Sequence, residues 1–95
     1  MLLQKPLKQG EVVSVRLITG EELIGTLEET NDEGTTVSKP MIVSMNQQGY
    51  GLLPFMLTVE PDLKHTIQAN HCMSVVKTND ETSKAYVQST TNLIV

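Results

Sequence analysis

Ninety-five residues suffice for one domain, and a chain of this length buries only roughly 60–65% of its unfolded surface, so its core is small. Aromatic side chains are limited to Tyr50, Phe55 and Tyr86, which leaves Val, Leu, Ile and five Met to fill that core. A formal charge of −4 excludes a general electrostatic grip on phosphate, and the lone Cys72 excludes a disulfide-stapled scaffold and fits a reducing, cytoplasmic setting. The opening residues lack the apolar run of a signal peptide, and no segment approaches the roughly 20 apolar residues of a membrane span.

Residues 1–10 carry Lys5, Pro6, Lys8 and Gly10 and read as an N-terminal arm, because Pro6 disfavours helical geometry just before it. In residues 11–18, Val13, Val15 and Leu17 alternate with Ser14 and Arg16, the period of a half-buried strand. Thr19-Gly20 turns the chain, and Leu23 and Leu27 resume the same parity in a second strand over 21–30. Gly25 falls at an inward position, where a missing side chain permits a sharp bend or a close backbone approach.

Asn31-Asp32-Glu33-Gly34 is the next turn. A third strand over 35–45 is interrupted at Pro40, which requires an edge position or a bulge. After Asn46-Gln47-Gln48-Gly49 a fourth strand over 50–58 bends at Pro54. Its nearly continuous apolar character predicts cover on both faces, by the chain's own tail or by another subunit. Residues 60–64 form a loop, 65–68 a short extended piece, 69–71 a turn and 72–77 a last strand.

The period then changes. Thr78-Asn79-Asp80-Glu81 has the form of a capping box, with Thr78 as cap and Glu81 reaching back, and predicts a helix over 79–89 that ends in the poor formers Ser89-Thr90-Thr91-Asn92. Tyr86 and Val87 suit it to clip against the strands or a neighbouring subunit. The chain is thus one all-β domain over 1–95: an arm (1–10), the strands (11–77), the helix (78–89) and an apolar tail (90–95).

Chemistry-bearing residues are sparse. His65, His71 and Cys72 are the only soft metal ligands and lack paired spacing, so no metal or other cofactor is expected. The carboxylates sit at turns, where none is desolvated for acid–base work, and a non-enzymatic protein is expected. Glu21, Glu22, Glu28, Glu29, Asp32 and Glu33 have no cation among them and predict an acidic rim. Tyr50 and Phe55 could stack bases, although packing is the expected role of Phe55, and Lys5 and Lys8 are the best phosphate contacts.

The spacing hydrophobic-x-hydrophobic-x-Leu-x-x-Gly-x-x-hydrophobic-x-Gly-x-Leu, met here by Val13, Val15, Leu17, Gly20, Leu23, Gly25 and Leu27, resembles the first motif of Sm and Sm-like (LSm) proteins, the family that includes Hfq. The second motif, Ile-Arg-Gly-Asn in the family, is echoed by Ile67-Gln68-Ala69-Asn70 ahead of the last strand. The resemblance implies a small, strongly bent five-stranded SH3-like barrel, here with a C-terminal helix. It also implies a homo-oligomeric ring of about five to seven subunits closed by edge strands. A helix at that end is similar to small Sm-like proteins attributed to phages, which would place the chain in a bacterial host cytoplasm.

Carried onto this sequence, the resemblance places RNA contacts at Asn31, Thr35, Gln68, Asn70 and His71, and subunit contacts at Leu53, Phe55 and Val75. The chain departs from the pattern where the family's paired loop Asp and Asn become Asn31 and Thr35. The base-packing arginine becomes Gln68, which brings neither charge nor a stacking plane. Two readings follow: an RNA-associated ring acting as scaffold or chaperone, and a protein-interaction ring that has lost RNA binding.

Overall fold

The computed structural model describes residues 7–60 and 63–94. The Lys5 end of the expected arm, positions 61 and 62 of the expected loop, and Val95 lie outside them. The chain forms six antiparallel strands, β1 (Val12–Leu17), β2 (Glu22–Asn31), β3 (Gly34–Asn46), β4 (Gly49–Pro54), β5 (Lys64–Gln68) and β6 (Cys72–Lys77), followed by one helix, α1 (Asp80–Ile94). A single 3-10 turn, Ala69–His71, separates β5 from β6. No described helix is long and apolar enough to cross a membrane.

The sheet runs β4-β3-β2-β1-β6, with β5 also on β3, and it does not close on itself. Alternation sets its two faces. Val13, Val15, Leu23, Leu27 and Val37 form the core on one face, with Leu17, Ile42, Phe55, Ile67, Cys72 and Val75 packed around them. Gly25 belongs to that face, where a Cβ would come within 2.7 Å of the Val37 Cβ, so the glycine is what lets β2 and β3 approach. On the opposite face Ile24, Met41 and Tyr86 form a second cluster with Val12, Val43 and Leu52.

Pro40 falls at a bulge. Ile24 pairs with Met41 and Thr26 with Ser38, so β3 holds one residue more than β2 in this interval, and Lys39 takes a left-handed φ of 52°. The bulge divides the outer edge of β3: Met41 to Asn46 pair with β4, and Gly34 to Ser38 pair with β5. It is also where α1 docks. The Tyr86 hydroxyl donates toward the carbonyls of Ser38 (3.1 Å) and Lys39 (2.8 Å), while the Thr26 hydroxyl at 3.1 Å completes its contacts. Two more hydroxyl pairs, Thr82 with Tyr50 (2.9 Å) and Thr78 with Ser14 (2.8 Å), tie the helix and its entry to the sheet.

Several expectations change. The fourth strand stops at Pro54 rather than 58: the Phe55 amide still donates in register to the Pro40 carbonyl, but Pro40 has no N–H to return the bond, and the ladder ends there. A separate β5 occupies the rest of that edge, giving six strands rather than five. Among the described residues nothing of the chain covers both faces of this stretch, with Leu53 54% and Leu57 84% exposed, which leaves another subunit as the expected cover. The helix cap is Asn79, whose Oδ1 accepts from the Thr82 amide at 2.8 Å, since the Thr78 hydroxyl is committed to Ser14. Finally, α1 continues past 89 into the expected tail, to Ile94. The Thr90 hydroxyl is buried and donates to the Tyr86 and Val87 carbonyls, and Thr91 donates to Val87, so the helix itself satisfies these poor formers.

Candidate functional site

Two turns distant in sequence meet at one end of the sheet. Gly34, which opens β3, pairs with Gln68, which closes β5, and the Ala69 amide donates to the Glu33 carbonyl at 2.9 Å. Gly34 must be glycine here, because a Cβ would collide with the Ile67 carbonyl. The β1–β2 turn joins the same end through the Ile18 amide, which donates to the His71 carbonyl at 3.0 Å. The segments that carry the expected RNA contacts are therefore adjacent.

Their side chains are not equally available. Asn31 is spent on its own turn: Oδ1 accepts from the amides of Glu33 (2.8 Å) and Gly34 (3.3 Å), and Nδ2 donates to Glu29. Thr35 is 3% exposed and shares a hydroxyl hydrogen bond with Thr30 at 3.0 Å. Gln68, Asn70 and His71 stand exposed on and beside the 3-10 turn. Glu29 at the end of β2 and Asp32 and Glu33 on the facing turn are exposed, so the expected acidic rim borders this group. Nearby, the Ser38 hydroxyl at 2.8 Å holds the Glu28 carboxyl below its ordinary pKa against partial burial, with Lys64 at 3.6 Å assisting.

Beside these turns lies an open cleft of about 490 Å³. Leu17, Ile18, Phe55 and Ile67 supply its apolar wall, and Thr19, His65, Gln68 and His71 its polar groups. The Phe55 and His65 rings meet edge to face, with centroids 5.8 Å apart and planes at 88°. No Asp, Glu, Lys or Arg lines it. Sequence reasoning missed this cleft, because Phe55 comes from the segment after β4, His65 from β5 and Ile18 from the end of β1. Only the pairing of β5 with β3 brings them together.

The expected subunit contacts also separate. Leu53 is exposed on β4, whereas Phe55 and Val75 pack against the chain's own core. Burial pushes the Cys72 thiol pKa up, and its Sγ lies 3.8 Å from the Ile67 carbonyl oxygen, the environment of a packed cysteine rather than of a nucleophile. Among the described residues no three His, Cys, Asp or Glu side chains converge to hold a metal ion. No protein-family model matches the chain, and no curated protein is significantly similar to it.

Proposed function

We propose that this chain is a non-enzymatic, Sm-like protein, a small barrel-like subunit of a homo-oligomeric ring, and serves as an RNA-associated scaffold or chaperone in the cytoplasm. The observation that carries the reading is the meeting of the 31–35 and 68–71 segments, more than thirty residues apart, at one end of a sheet ordered β4-β3-β2-β1-β6. That end offers Gln68, Asn70 and His71 to a single-stranded base edge. Among the described residues β4, β5 and β6 each pair on one side only, and joining β6 of one copy to β4 of the next would satisfy two of these edges. Leu53 then lies at the joint.

A second reading, a ring that binds protein instead of RNA, is favoured by the commitment of Asn31 and Thr35 to internal hydrogen bonds and by the carboxylates of Glu29, Asp32 and Glu33 beside the turn. Native mass spectrometry of protein purified without nuclease treatment separates them. A whole multiple of the 10.5 kDa subunit carrying added nucleotide mass is the expected result. A bare ring would favour the protein partner, and a bare monomer would remove the ring altogether.

A further inference from the structure

The two faces of the sheet are closed by different means. On one, Val13, Val15, Leu23, Leu27 and Val37 are buried beneath side chains of β5 and β6, so they are uncovered only when paired strands part. On the other, Ile24 and Met41 are buried with Tyr86 of α1, an element that no ladder holds. From Asp80 to Thr91 the buried side chains of α1 are Thr82, Tyr86 and Thr90, four residues apart along one stripe, and of these Tyr86 alone enters the apolar cluster. Thr82 meets the hydroxyl of the half-exposed Tyr50, a bond that water can replace, and Thr90 bonds back to its own helix. Val87 is half exposed. Tyr86 is therefore the pin, with its ring against Ile24 and Met41 and its hydroxyl on the Ser38 and Lys39 carbonyls.

Off the sheet, α1 has little to keep it helical. Thr82, Ser83, Val87, Ser89, Thr90 and Thr91 are poor helix formers, and fifteen residues is a marginal length for a helix alone in water. Docking and helix formation are thus one event. The hinge is equally defined: the Thr78 amide donates to the Val12 carbonyl at 3.0 Å and its hydroxyl meets Ser14, so the chain is fastened to the sheet up to Thr78 and freed at Asn79.

We infer that α1 is a strap, pinned by Tyr86, that opens and melts as a unit while the six strands stay paired. Opening uncovers Val12, Ile24, Met41, Val43 and Leu52, and the closed strap keeps them from forming one apolar surface with Met45 and Tyr50, which line the cleft beside Ile24 and Val43. The inference stands apart from the RNA and ring readings.

The test is amide hydrogen exchange of the full chain, followed residue by residue. Amides of 84–90 are expected to be protected, yet to exchange at least tenfold faster than those of β1 to β3, and Tyr86→Phe should speed them about tenfold. Gly25→Ala, which acts between β2 and β3, should speed exchange in the sheet and leave that of α1 unchanged. Should this variant fail to fold, low urea on the native chain makes the same separation, since a local opening exposes little surface and responds weakly. Trypsin gives an independent reading at Lys84, the one Lys or Arg of α1, which should be cut while Arg16, Lys39 and Lys77 in the strands survive. Exchange of α1 and sheet at one rate, raised together by Gly25→Ala or urea, would overturn the strap. So would an α1 without protection, or one that Tyr86→Phe leaves unchanged.

Discussion

Gly25 and Tyr86 show how much of this fold rests on single atoms. Ala at Gly25 would drive its Cβ to 2.7 Å from that of Val37, and the expected cost is about 1–3 kcal/mol in thermal or urea unfolding. Unchanged stability would mean that β3 yields at Val37. Tyr86→Phe keeps the ring in its apolar cluster but removes the hydroxyl that meets the Ser38 and Lys39 carbonyls, and should cost about 1–3 kcal/mol. Burial raises the Tyr86 pKa above its ordinary value of 10.0, with the Thr26 hydrogen bond partly offsetting it. Its folded-state pKa therefore exceeds its unfolded one, so its contribution is complete below about pH 10 and is lost as pH rises toward the folded value. Stability against pH should fall more steeply above pH 10 for the native chain than for Tyr86→Phe, and parallel alkaline limbs would contradict this assignment. The sequence showed that Gly25 faced inward, since parity alone decides that. It could not show that Tyr86 meets a bulge, since nothing local to residue 86 refers to residue 39.

Among the elements, β3 and α1 carry the lessons. Pro40 announced a bulge because it removes a ladder donor, but the residue that absorbs the geometry is Lys39, at φ 52°. Lys39→Gly should stabilise the protein by about 0.5–1 kcal/mol by relieving that conformation, a gain that chemical denaturation would register. For the helix, the choice of Asn79 over Thr78 as cap was hidden because both residues suit the position, and the decision was made by Ser14, sixty-four residues earlier than Thr78. Asn79→Ala is expected to cost about 1 kcal/mol and Glu81→Gln less than that, by circular dichroism through the unfolding transition. Equal losses would restore the capping box. The strand periods from Val13 to Leu27 were plain because half-buried strands impose alternation. The end of the fourth strand was not, because it depends on Pro40, which has no N–H to donate, standing opposite Phe55 in the register.

For the molecule as a whole, the distribution of charge and of unpaired edges makes the separable predictions. On the proposed ring, Leu53→Asp places a carboxylate on the exposed side chain of β4 and should give monomers in native mass spectra without unfolding them, since Leu53 belongs to neither buried cluster. Val75 is unsuited to the same test, because it packs into the core. Under the proposed RNA reading, replacing Glu29, Asp32 and Glu33 by their amides should strengthen oligonucleotide binding at low salt. No gain would mean that the acidic turn lies away from the bound strand. The acidic rim was legible because charge is counted along the chain. The cleft beside it was illegible because its walls come from β1, β5 and the segment after β4.

One consequence of the Tyr86 contact concerns the order in which the chain is made. During synthesis the last residue of β6, Lys77, emerges before Tyr86, so every partner in the sheet is present while the carbonyls of Ser38 and Lys39 still face water. The helix arrives as the closing piece, and its hydroxyl fits a nascent sheet only if the extra residue of β3 sits at Lys39 and Pro40. Tyr86 thus joins the far end of the chain to the bulge at its middle.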